Sequence, residues 1–262
     1  MKTNNPILSD DYRHSASRGN DYVSNPSLWL MRNYFNLQSD LNYSMAMGIA
    51  SEIAAHHGIV DNKANVKNIA VNQFKTIAEE PLSLDEDYTK NGVIPKQMDK
   101  VGAIAEHFHK TLSNLNMELQ EYNKKYIVEH PDLKHKITYV PDFEYENLIV
   151  DTKAKQQLPT DPFKSKLNHI RQVSLYSLLS GKEVALLYAT DKKVGLFTIP
   201  DKVVKREGEF MIDVFSKIEK TNSLFDNAEQ FMEFNILNTE GYQWDENAKT
   251  IANRFWTKSK RR

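Results

Sequence analysis

The sequence predicts an α/β protein in which a small mixed sheet is flanked by helices. Two observations carry this. Apolar residues recur at helical spacing through most of residues 24–130, and near residue 136 the period changes to that of strands. From there the order is ββ, α, ββ, α. At 262 residues the chain can form one large domain, or a core with one insertion.

In order, residues 1–23 are polar and are expected to be loosely ordered, leaving residues 24–262 as a single domain. "SNPSLWLMRNYF" predicts a first helix with Ser24 or Ser27 at its N-cap. "NYSMAMGIASEIAAHH" predicts a second, which Gly58 should end. Between about 60 and 130, "KANVKNIAVNQFKTIAEE" and "PKQMDKVGAIAEHFHKTLSNLNMELQEYNKKYIVEH" bracket the polar loop "LSLDEDYTKNG" and read as a helical insertion. "KITYVPDF" and "NLIVDTKA" are strand-like runs separated by "EYE", with Asn147 able to turn the chain. A basic helix, "FKSKLNHIRQVSLYSLLSG", should stop at Gly181. "EVALLYATDKKVGLFTIP" predicts two strands around a "TDKK" turn, and residues 205–262 two or three helices anchored by Trp244 and Trp256.

Composition narrows the function. A net charge of −1 argues against coating nucleic acid by bulk electrostatics but leaves room for a local basic groove. The absence of cysteine removes disulfides, thiolate metal sites and thiol catalysis. "MKTNNPILSDDYRHSASRGN" has no apolar run for a signal peptide, and no segment reaches 18 apolar residues, so a soluble, cytoplasmic protein is expected. The terminal "KSKRR" reads as a solubilising tail.

An aspartate two residues before a lysine occurs at Asp61–Lys63, Asp132–Lys134, Asp151–Lys153 and Asp191–Lys193. Three of these sit in polar turns or helix edges and read as solvated surface charge. Asp151 differs: it closes the apolar run "LIV", nine residues after Asp142 closes another. Strand alternation points Asp151 and Lys153 the same way, and a hairpin can bring Asp142 alongside. Adjacent carboxylates repel unless a cation lies between them, and their hard oxygens suit Mg²⁺ or Mn²⁺. A lysine on that face can orient an attacking water, a set suited to phosphodiester hydrolysis. Surface ion pairs on a half-exposed hairpin are the plainer alternative.

The stretch "PDFEYENLIVDTK" resembles the PD-(D/E)xK nuclease signature, with Pro141–Asp142 as its first element and Asp151–Thr152–Lys153 as its second. Gln172 and Tyr176 in "QVSLY" are similar to the Q-x-x-x-Y motif of the lambda exonuclease/RecB-like branch, and Gly48 and Glu52 in "GIASEIAA" to its upstream G-x-x-x-E element. The resemblance covers roughly residues 24–200 and implies a restriction-endonuclease-like core with a helical insertion. It implies a phage-type, Mg²⁺- or Mn²⁺-dependent DNA exonuclease of recombination or repair. Asp142, Asp151, Thr152 and Glu52 would hold the metal, and Lys153, Gln172 and Tyr176 would complete the site. His56, one turn after Glu52, is either a metal ligand or a helix cap. Lys155, Lys164, Lys166 and Arg171, with His169 among them, form a basic cluster for DNA phosphates, and Arg32 is a candidate for a terminal phosphate. Implied partners are DNA, a single-strand annealing or recombination protein, and further copies of the chain. An endonuclease of the same fold, a non-cleaving DNA-binding protein and a helical interaction protein remain alternatives.

Overall fold

The computed structural model describes residues 7–37, 41–62, 64–79, 93–240, 244 and 246–259. The expected polar loop at 82–92 lies outside them. The sequence points to a single domain after a loose N-terminal segment. By its contacts the chain divides into two compact units: Met1–Ser39, Lys125–Tyr139 and Arg206–Arg262 form unit 1; Asp40–Lys124 and Val140–Lys205 form unit 2.

Unit 1 begins with α1 (Ala16–Ser24) and α2 (Pro26–Asn33). In the segment before α1, Ile7, Tyr12 and His14 are buried, and His14 forms a parallel bridge with Ile137. The N-cap of α2 is Asn25, not a serine: its side chain accepts the Leu28 N–H, with Pro26 in the first turn. Ser24 belongs to α1, and the Ser27 hydroxyl donates to the Ile236 carbonyl. Strands β2 (Tyr126–Val128) and β3 (Ile137–Tyr139) pair antiparallel. The long α8 (Asp201–Asn222), then α9 (Ala228–Phe234) and α10 (Glu246–Ser259), complete this part of the chain. Trp244 and Trp256 are buried, as the sequence predicts.

Unit 2 contains α3 (Tyr43–Val60), α4 (Val66–Glu79), α5 (Val93–Ser113) and a five-stranded mixed sheet. Its strands are β1 (Leu119–Tyr122), β4 (Phe143–Tyr145), β5 (Leu148–Ala154), β6 (Glu183–Ala189) and β7 (Val194–Thr198), side by side in that order. The pairings are antiparallel except β5 with β6, which run parallel through a crossover carrying α6 (Pro162–Ser165) and α7 (Leu167–Ser180). This is the mixed α/β class that the sequence predicts. The helical insertion is shorter than expected: α5 ends at Ser113, and "LQEY" becomes an edge strand with a register shift between Leu119 and Glu121.

The two faces of the sheet are covered differently. Val150, Ala185, Leu187 and Ala189 pack with Ala55, Ile104, Phe108 and Leu112 from α3 and α5. By strand alternation Ile149, Asp151 and Lys153 take the opposite face of β5. Gly181, with φ 73°, closes α7 in the left-handed C-cap conformation, as expected. Gly58 does not end α3, which runs on to Val60. A Cβ there would lie 2.5 Å from Val66 Cγ2 and 2.7 Å from His109 Cδ2, so glycine is needed for close packing rather than for a stop. A Cβ at Gly48 would meet only Ala154 Cβ, at 4.0 Å.

These glycines make opposite predictions. Gly48→Ala should stabilise by up to about 1 kcal/mol through helix propensity. Gly58→Ala should lose stability, because overpacking of about 1–3 kcal/mol outweighs the same gain. Urea midpoints of the two variants check this; similar midpoints would show that α3 shifts freely at Gly58.

Candidate active site

The site forms where β4 stops pairing with β5. The ladder pairs Phe143 with Val150 and Glu144 with Ile149, and Asp142 lies just before β4. One step further along β5, the Thr152 N–H has no β4 backbone partner, and the Asp142 carboxylate takes its place: Oδ2 accepts it at 2.6 Å and the Thr152 hydroxyl at 3.0 Å. The Thr152 hydroxyl also lies 3.5 Å from Glu52 Oε2, so α3 reaches β5 from its other side. Asp151 lies in the middle of β5 rather than at its end, and is fully buried.

Asp151 and Lys153 share a face, as alternation requires, and form an ion pair. From α7, the Gln172 amide donates to Asp151 Oδ1 at 3.0 Å and to the Tyr176 hydroxyl at 2.7 Å. The i, i+4 pair on that helix therefore fixes the aspartate rather than the lysine. Burial and then the Asp142 carboxylate push the Asp151 carboxyl upward, against Lys153, which pulls it down. Burial, then Asp142, likewise raise Glu52. Burial alone would lower Lys153; Asp151 and Asp142 outweigh it and keep its ammonium protonated.

Several neighbours were not legible as site residues. Asn123, after β1, has φ 49° and donates its amide to Glu52 Oε1 at 2.6 Å and its backbone N–H to the Asp142 carbonyl at 3.2 Å. An Asn between two strand-like runs is a signal for that left-handed position, obscured here by the helical reading of the segment. Tyr188 stands opposite Lys153 in the β5–β6 register and hydrogen-bonds His169 at 2.8 Å. His56 stacks on Tyr122 with centroids 3.9 Å apart and caps no helix end.

Lys155, Lys166 and Arg171 are part-exposed on β5 and α7 or beside them. The side chain of Lys164 lies outside the described residues. Arg32 belongs to unit 1, where its guanidinium donates to both carboxylate oxygens of Asp21 at 2.8 and 2.9 Å. The solvated-surface reading of Asp61 and Asp132 agrees with their exposure.

Carboxylate and hydroxyl oxygens are the donors that a hard divalent cation takes. Glu52, Asp142 and Asp151 offer carboxylate oxygens, and the Asp142 charge raises the proton affinity of the other two, the condition a cation relieves. They are joined through Thr152 rather than drawn around one point, with Lys153 as counter-charge to Asp151.

No family model matches the chain, and no curated protein does. Among solved structures, it is similar to the crystal structure of a "Putative exonuclease" from Eubacterium rectale. The TM-score is 0.58 at 12% identity, over 88% of this chain and 91% of that one. The two share a fold. The crystal structure of SSO0001 gives a TM-score of 0.30 at 12% identity, over 82% of this chain and 91% of that one, too weak to bear on the fold.

His169 makes a pH-dependent contribution. Burial first, and then Lys153, Lys155 and Lys166, lower its ring to about 3. A histidine depressed in the folded state adds stability that is complete above pH ~6.5 and lost as pH falls toward 3. The stability difference between wild type and His169→Gln should therefore shrink over that window in melts at successive pH values. A constant difference would mean that the ring takes up its proton as readily in the fold as in the unfolded chain.

Proposed function

We propose that this protein is a divalent-metal-dependent nuclease that hydrolyses DNA phosphodiester bonds, acting as an exonuclease. The observation that carries the reading is the convergence on β5 of Asp142, Asp151 and Glu52, with Lys153 paired to Asp151 and Gln172 bracing it. A buried Asp151 and a neighbouring Glu52 whose proton affinities are raised by burial and by Asp142 are costly to a fold, and such groups cluster at functional sites. The shared fold with a protein named as an exonuclease agrees with this.

Asp142, Asp151 and Glu52, with Thr152 between them, would hold Mg²⁺ or Mn²⁺. The bound cation would neutralise charge developing on the phosphate and acidify a water. Lys153, kept protonated by its carboxylate neighbours, presents a fixed positive charge to the non-bridging oxygens and orients the attacking water. Gln172 and Tyr176 hold Asp151 in place. Lys155, Lys164, Lys166 and Arg171 bind the backbone of the entering strand, and contacts of that kind carry no sequence preference. The assignment to the lambda exonuclease/RecB-like branch of the PD-(D/E)xK enzymes, and a role beside an annealing protein in phage recombination or repair, rest on the order of the motifs.

End-labelled linear DNA should be degraded with Mg²⁺ or Mn²⁺ and spared with chelator, and covalently closed circles should survive. Cutting of closed circles would make it an endonuclease; no cutting of either would remove the nuclease reading. Asp151→Asn and Lys153→Ala should each lower turnover by at least about 10²-fold with the circular dichroism spectrum unchanged. Lys153→Ala with near wild-type turnover at saturating metal would overturn the assignment of β5.

The basic residues should act on affinity alone. Replacing Lys155, Lys166 and Arg171 together by Gln should flatten the log–log salt dependence of DNA binding by about one unit per lost phosphate contact. The apparent KM should rise and saturated turnover stay nearly constant. Equal salt slopes would place the DNA elsewhere.

A further inference from the structure

Unit 1 holds a second cluster of ligand-type side chains that the reading above does not use. His14 precedes α1, His135 precedes β3 and Glu219 lies on α8, so three distant segments converge. His14 and His135 are buried. Glu219 Oε1 lies 3.0 Å from His14 Nε2 and 3.0 Å from His135 Nδ1, and these ligand atoms all lie within 4.8 Å of one another. We propose that His14, His135 and Glu219 form a zinc site that ties the N-terminal segment to the 130s loop and α8.

The geometry supports this in two ways. Zinc bound at about 2.0–2.1 Å in a tetrahedron sets its ligands about 3.3 Å apart, so the two spacings from Oε1 need to open by only a few tenths of an ångström. The second support is crowding at Oε1. It faces both ring nitrogens and also accepts the His135 N–H at 2.8 Å, whereas Oε2 accepts only the Lys134 N–H, at 2.9 Å, among the hydrogen bonds described. Three donors exceed the two lone-pair positions of one carboxylate oxygen. With a cation bound, one position keeps the backbone N–H and the other meets the metal, and both rings turn a lone pair to it.

The far nitrogens, His14 Nδ1 and His135 Nε2, are buried without hydrogen-bond partners. Nothing on that side fixes either ring's tautomer, so each ring can carry its proton there when a cation replaces the Glu219 contact at the near nitrogen. Three protein ligands with nitrogen and oxygen donors suit Zn²⁺ and leave one tetrahedral position for water. His135 also lines a cleft with Glu129, His130 and Lys136.

The test uses the full chain without a histidine tag. After exhaustive chelation and dialysis with one equivalent of Zn²⁺, elemental analysis should give one zinc per chain, and the melting temperature should exceed that in chelator. Co²⁺ in place of zinc should give the intense visible absorption of a four-coordinate site. Glu219→Gln and His14→Asn should each lose the metal, and Asp151→Asn, in the other unit, should keep it. No retained zinc in wild type, with equal melting temperatures in zinc and chelator, would overturn the proposal and leave the triad as a hydrogen-bonded lock. Zinc lost in Asp151→Asn but kept in Glu219→Gln would also overturn it. Should the unit 1 variants fail to fold, the wild-type metal content and the Co²⁺ spectrum decide the question alone.

Discussion

The hydrogen bond from the Thr152 backbone N–H to Asp142 joins the fold of unit 2 to its candidate site. A buried backbone donor in the middle of a sheet must be satisfied, and the β4 pairing stops two residues short of doing so with its own main chain. A carboxylate substitutes for a strand. The same short strand that leaves this donor open also places Asp142 beside Glu52 and Asp151, so the ladder's termination and the clustering of charge have one cause. Removing the carboxylate would cost the sheet a hydrogen bond to a charged acceptor, worth about 1.5–3 kcal/mol, besides any chemistry.

β5 is unusual in having side chains of chemical interest on both faces. Thr152 turns toward α3 and meets Glu52, whereas Asp151 and Lys153 turn toward α7 and meet Gln172. A strand buried on both sides normally carries only apolar residues. Asp151 is tolerated there because Lys153 and Gln172 supply an ion pair and a hydrogen bond, and the remaining imbalance appears as raised carboxyl proton affinity.

What was legible in the sequence follows from short-range geometry. Strand alternation put Asp151 and Lys153 on one side, helical spacing put Gln172 beside Tyr176, and Gly181 marked a helix end; each needs only a few consecutive residues. What was not legible depends on distant chain. The residues Leu119–Tyr122 carry a helical apolar pattern and become a strand because β4, more than twenty residues later, offers them an edge. Asn123 comes beside Glu52 only through that pairing. Gly58 has the local pattern of a helix stop, although its requirement comes from Val66 and His109. The His14, His135 and Glu219 cluster carries no local spacing at all.

The alanines of α3 extend the reach of the site beyond the residues that touch it. Ala46, Ala50 and Ala54 are fully buried against α4 and α5, in a cluster with Phe74, Val101 and Ala105. Close-packed helices of this kind do not absorb an added methylene locally; the helix moves as a rod. Glu52 rides on that rod. Variation at these small positions is therefore constrained by the placement of a carboxylate they never contact, and natural or engineered changes there would surface as loss of activity in a protein that still folds.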